Sequence, residues 1–228
     1  MTRSRGGTTP GGKGRFDGYD VMAERRRWDP VTARTVDDKL APPGGRLLFF
    51  TEEEAATAEA LVDLLLAQHD EPKIAVLQAI DRRLHAGETD GWRYEDLPED
   101  SVAWRRSLAL LDEDAKEAFG SRFSECTADR QGELVQGIQD ADTWHGWPAR
   151  HVWSLWTRYA CAAFYGHPWA WNEIGFGGPA YPRGYKVLRA GWIEPWERRE
   201  RDAEDPVPWA ERVEQAKRDH EVRTRGER

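Results

Sequence analysis

From Leu47 onward the apolar residues recur at helical spacing in a series of separated runs. Ala55, Ala58, Leu61, Val62, Leu65 and Leu66 form the first stripe, running to Gln68. Thr51 with Glu54 three residues later predicts a capping box at its start, with Phe49 and Phe50 just before it. Glu52, Glu53 and Glu54 in the first turn suit the positive end of the helix dipole, which accounts for three acids without catalysis. After His69-Asp70-Glu71-Pro72 a second helix is expected over Lys73–Ala86, with Ile74, Leu77, Ile80 and Leu84 inward and Gly87 ending it. A third begins near Pro98 and directs Val102, Leu108 and Leu111 to the core; residues 112–120 continue or restart it. A fourth, from about Thr127, carries Leu134, Val135 and Ile138. Trp144-His145-Gly146-Trp147-Pro148 reads as a hinge into the most apolar helix, Ala149–Tyr165, striped by Val152, Leu155, Trp156, Tyr159, Ala163 and Phe164. The pattern predicts an all-α domain of about five to six helices.

The two ends differ from this body. Residues 1–46 read as a flexible arm: residues 1–14 are rich in Gly, Thr, Arg and Lys, and Phe16, Tyr19, Val21, Met22 and Trp28 are apolar islands in polar sequence. Pro42-Pro43-Gly44-Gly45 closes the arm, which can lie along a partner or remain loose. Residues 47–192 form the helical domain, and residues 193–228 form a charged arm with a polar helix expected over Pro206–Arg223.

One segment breaks the helical pattern. Residues 164–185, FYGHPWAWNEIGFGGPAYPRGY, combine large rings with Gly177-Gly178-Pro179 and Pro182, which exclude a continuous helix or a central strand. Rings on such a backbone must bury against something, either the chain's own helices or another protein. Eight of the twelve Trp lie between Trp144 and Trp196, more than a bundle of this size is expected to hide.

Charge and composition narrow the chemistry. The 228 residues are 39% hydrophobic and 32% charged, with a net charge of -8. The mean hydropathy is -0.80. Residues 1–46 carry +4 and residues 47–188 carry -11, an acidic body that argues against nucleic acid as the main partner. Cys126 and Cys161 form no C-x-x-C and no zinc pattern, and read as reduced core residues of a cytoplasmic chain. His145, His151 and His167 do not share a helical face, and His69-Asp70 reads as a polar turn. No apolar run reaches transmembrane length, and Arg25-Arg26-Arg27 is followed by Trp28-Asp29-Pro30 instead of an apolar export region. Gly175-Phe176-Gly177-Gly178 neither follows a strand nor opens a helix, so it is not a dinucleotide loop. No nucleophile–base pair can be assembled.

The ordered series Phe164-Tyr165, His167-Pro168, Asn172, Ile174-Gly175-Phe176, Gly178-Pro179 and Gly184-Tyr185 resembles the C-terminal signature of the gluconate 2-dehydrogenase subunit 3 family. The resemblance extends over roughly residues 47–190, through Ile80-Asp81 with Leu84 and through Gly120, Phe123, Arg130 and Leu134. It implies a small, mostly helical, non-flavin subunit beside a large flavoprotein of the glucose–methanol–choline oxidoreductase type. It also implies that FAD and the catalytic base belong to that partner, with no cofactor on this chain. Some relatives carry an export signal on this subunit; this chain departs from that pattern.

The expected function is therefore a non-catalytic subunit of an FAD-dependent sugar or polyol dehydrogenase. The expected docking residues are Phe164, Tyr165, His167, Pro168, Trp169, Trp171, Asn172, Ile174, Phe176, Tyr181 and Tyr185. The alternatives are a transient assembly chaperone of that flavoprotein and a free-standing carbohydrate-binding module stacking sugars on Trp169 and Trp171.

Overall fold

In the computed structural model, the residues described are Phe16, 19–40, 45–69, 71–180, Gly184 and 192–198. They form seven α-helices: α1 (Pro30–Leu40), α2 (Glu52–Leu66), α3 (Val76–His85), α4 (Asp100–Phe119), α5 (Ala128–Asp140), α6 (Ala149–Tyr165) and α7 (Pro168–Ile174). Two 3₁₀ turns, Val21–Arg27 and Phe123–Glu125, and a minimal hairpin of β1 (Thr143–Trp144) and β2 (Trp147–Pro148) complete the set. The helix expected over Pro206–Arg223 lies outside the described residues.

Helix α6 is the hub, touching α2, α3, α4, α5 and α7. Its Val152, Leu155, Trp156, Tyr159 and Ala160 are buried. They meet Leu61 and Val62 of α2, Leu77, Ile80 and Leu84 of α3, and Trp104, Leu108 and Leu111 of α4 in one core. The capping box at α2 forms as the sequence predicts: Thr51 Oγ1 accepts from Glu54 N at 3.2 Å, and Glu54 Oε2 accepts from Thr51 N at 2.9 Å. Helix α3 starts at Val76, later than the expected Lys73. The Gln68 side chain holds the backbone of Ile74 on both sides, accepting from its N–H at 2.9 Å and donating to its carbonyl at 3.2 Å, which keeps residues before Val76 out of the helix.

Three buried carboxylates tie the bundle. Asp81 on α3 accepts the backbone N–H groups of Leu48, Phe49 and Phe50 at 2.7, 2.9 and 2.9 Å, fixing the entry into α2. Asp112 on α4 accepts from Thr57 Oγ1 of α2 and from Phe123 N, both at 3.0 Å, and pairs with Arg122. Asp100 accepts the Tyr159 hydroxyl at 2.7 Å. Burial, and then that bond to Asp100, push the Tyr159 hydroxyl well above its ordinary pKa, so it stays protonated.

Three expectations are corrected. Val102 is 50% exposed, because the inward stripe of α4 runs through Ala103, Trp104, Ser107, Leu108 and Leu111. Cys161 is exposed on α6, while Cys126 is buried. The chain also hides more tryptophan than expected. Trp144 and Trp147 face each other across a hairpin whose turn, His145 and Gly146, takes positive φ of 46° and 81°. Trp144 Nε1 donates to Asp114 Oδ2 at 2.7 Å, and the buried Trp156 donates to Ser107 Oγ at 2.9 Å. These polar partners satisfy the indole N–H groups of Trp144 and Trp156 as their rings enter the core.

Asp81→Ala should destabilise the protein by about 2–4 kcal/mol, since three inward N–H groups lose their acceptor. Urea unfolding followed by circular dichroism measures it, with Asp81→Asn, which keeps one carbonyl oxygen, falling between the two.

A self-covered aromatic segment as candidate functional site

Helix α6 stops at Gly166, and His167 starts the next helix by accepting Trp169 N on its Nδ1 at 3.2 Å. Pro168 occupies the first helical position, where its missing N–H costs nothing. Helix α7 lasts seven residues and ends at Gly175, in the left-handed region at φ 69°. Phe176 N then donates to Trp171 O at 2.9 Å, closing the turn. Trp171 Nε1 donates to Tyr165 O at 2.6 Å, which ties α7 back to the end of α6.

The surface that receives this segment is the chain's own N-terminal arm. Residues 19–40, expected as part of a flexible tail, fold into the 3₁₀ turn and α1 and pack against α7. Phe16, Tyr19, Val21, Trp28, Ala33, Val36 and Trp171 form a second, separate core. The arm's apolar islands are spaced for this: each finds a place on the same receiving face. Val21 N donates to Asn172 Oδ1 at 2.7 Å in a buried bond, and the Tyr19 hydroxyl donates to Phe176 O at 2.9 Å.

Two glycines make the approach possible. A Cβ on Gly175 would lie 2.7 Å from the Phe16 ring. One on Gly178, at φ +75°, would lie 2.6 Å from the Trp28 ring. Both positions combine left-handed backbone with no room for a side chain.

The predicted docking residues therefore divide. Pro168, Trp171 and Asn172 are buried, Trp171 and Asn172 against the arm. Phe164 and Trp169 are half-buried on the main core, and His167 is half-buried where α7 begins. Tyr165, Ile174 and Phe176 are 49%, 48% and 38% exposed. Tyr181 and Tyr185 lie outside the described residues. With Trp171 under the arm, Trp169 and Trp171 do not form the open pair of rings that a sugar platform requires. Sequence reading missed the arm residues, whose only signal was the spacing of Phe16, Tyr19, Val21 and Trp28.

The histidines serve three separate places. His145 pairs with Asp114 at 2.7 Å, His151 pairs with Asp96 at 2.8 Å and stacks on Tyr94, and His167 caps α7. Among the described residues no group of three or more His, Cys, Asp or Glu is arranged to hold a metal ion. No described helix is long and apolar enough to cross a membrane. Burial pushes the His167 imidazole down to about 4, with the Lys39 ammonium adding to the effect while a hydrogen bond to the Lys39 backbone opposes it.

The described residues thus form an all-α body whose ring-bearing C-terminal segment takes part in a second core. The sequence profile of the family described as Gluconate 2-dehydrogenase subunit 3 matches residues 52–178, and the chain belongs to this family of dehydrogenase-complex subunits. No curated protein and no solved structure matches the chain significantly.

Asn172→Ala leaves the buried Val21 N–H without an acceptor and should cost about 1–3 kcal/mol at the arm contact, read as faster hydrogen exchange of residues 19–28. Acid should loosen the same region. Neutral His167 is favoured by the fold, so stability is full above the ordinary imidazole pKa near 6.5 and falls as the pH drops toward about 4. Its contribution to that slope is about 1.4 kcal/mol per pH unit within this window. His167→Asn, which keeps a capping acceptor and removes the titration, should flatten it.

Proposed function

We propose that this chain is a non-catalytic small subunit of an FAD-dependent sugar or polyol dehydrogenase, docking on and stabilising a flavoprotein of the glucose–methanol–choline type. Hydride transfer to flavin belongs to that large subunit, which holds the FAD, and this chain binds no cofactor. The observation that carries the reading is the exposure of Tyr165, Ile174 and Phe176 at the end of the family-matched region. These apolar side chains stand on a segment whose own apolar needs are already met by the arm. Rings and branched chains left outside a satisfied core are the anchors that protein interfaces use.

The buried polar groups of the body support the same view. Asp81, Asp100 and Asp112 are engaged in bonds that fix helices to one another, which is structural work. Both thiols are free, which suits a complex working in the reducing cytoplasm. A transient assembly chaperone would use the same exposed surface, and persistence of the complex separates the two.

Ile174→Asp and Phe176→Ser should each lower recovery of the flavoprotein with the tagged chain at least tenfold while leaving its own melting temperature within about 2 °C. The wild-type complex should survive a salt wash at constant stoichiometry; loss of the flavoprotein in the wash would favour the chaperone. The purified chain should show no flavin absorbance and no dehydrogenase activity with artificial electron acceptors. Activity there would overturn the proposal.

A further inference from the structure

We propose that the N-terminal arm is a built-in clamp on the docking surface: seated on α7 and the glycine turn, it fixes the backbone from Trp171 to Gly178 so that Ile174 and Phe176 face outward. The inference rests on the docking role proposed above and adds the part of the chain that controls it.

Four observations point the same way. First, the arm and Trp171 of its receiver make a core distinct from that of the helical body, which α7 joins on its other side through Ala170 and Trp169. Helix α7 is short, and seven residues do not hold a helix by themselves. Its conformation must come from what packs on it, and its outer side is covered by the 3₁₀ turn and α1.

Second, the contacts grip backbone as well as side chains. The Tyr19 hydroxyl holds the carbonyl of Phe176, a residue 38% exposed whose ring meets Trp171 edge-on. Asn172, two residues before Ile174, is fixed by its buried bond to Val21 N. Each hold lies on or beside an outward anchor, so releasing the arm frees the backbone that aims it.

Third, the fit is specific to glycine at the receiving positions. Phe16 lies over Gly175 and Trp28 over Gly178, with no space for a Cβ at either. A surface that merely tolerated a loose tail would not need bare backbone under two separate rings.

Fourth, the two halves of the clamp have different standing in the family. The receiver, Trp171 to Gly178, lies inside the matched region, residues 52–178; the arm lies wholly before it. In this chain the receiving face within the matched region is covered by Phe16 and residues 19–40, which precede that region.

The consequence is a dependence at a distance. Losing the arm should weaken docking although no arm residue need touch the partner, because a mobile α7 must be ordered at the moment of binding and that entropy subtracts from affinity.

The test uses the full chain with Phe16→Ala, which strains no backbone, and with Gly178→Ala, which places a Cβ against Trp28. Amide hydrogen exchange is followed at residues 19–28, at residues 171–178 and in α2, α4 and α6. The tagged proteins are also used to recover the FAD-bearing dehydrogenase from the native cell, identified by flavin absorbance and peptide mass. The clamp predicts exchange at least tenfold faster in both the arm and residues 171–178, unchanged exchange in the body helices, and at least a tenfold loss of recovered flavoprotein. Faster exchange with full recovery would overturn the clamp while leaving the docking role standing. Unchanged exchange at residues 171–178 in both variants would overturn it as well, since the arm would then not be what orders them. Failure of the wild-type chain to recover any flavoprotein would overturn the docking role, and the clamp with it.

Discussion

Bare backbone at Gly175 and Gly178 is the constraint on which the C-terminal part of the molecule depends. Aromatic rings can approach a polypeptide this closely only where no Cβ intervenes, and here Phe16 and Trp28 do so at positions whose φ also favours glycine. Everything that follows is a consequence of that fit. The arm acquires a fixed seat, Val21 and Asn172 come within hydrogen-bonding distance away from water, and α7 gains the packing that a helix of its length lacks. A third ring, that of Trp196, stands against Gly177, so residues from both flanks of the helical body converge on one turn.

The body obeys a different rule. Its core is ordinary in kind, leucine, isoleucine, valine and alanine around tryptophan, but its geometry is pinned by polar groups that cannot be left unpaired. Asp81 collects three consecutive N–H groups before α2, in the manner of an anion in a nest of amides. Asp112 joins α2, α4 and the 3₁₀ turn that leads toward α5. A buried carboxylate is costly unless nearly every oxygen is satisfied, and the same cost makes alternative packings of these helices unfavourable. Specificity of the fold comes from these bonds, and its bulk stabilisation comes from the hydrophobic interior.

Much of the body was legible because its signals are local. The Thr51–Glu54 box, the stripe of α6 and the glycine ends of helices depend on residues a few positions apart. The exposed Val102 shows the limit: apolar residues one step off a stripe look the same in sequence as those on it. Trp144 was harder, since its indole N–H is satisfied by a distant acceptor, Asp114. Hardest was the arm. Pairing Phe16 with Gly175 spans most of the chain, and neither residue carries a local cue to the other. The aromatic segment was correctly marked as needing a cover, yet no periodicity could say that much of the cover lay upstream.

The bonds of Asp81 also bear on where this domain can be cut. The matched region begins at residue 52, just after the three amides that Asp81 receives. A fragment trimmed to that boundary would keep the carboxylate in an apolar setting and discard its donors, while stripping the groove at α7 of its lid. Such a piece, faithful to the family's outline, would inherit an orphaned charge at one end and a sticky trough at the other. The smallest unit that is chemically whole is longer than the one that similarity alone delineates.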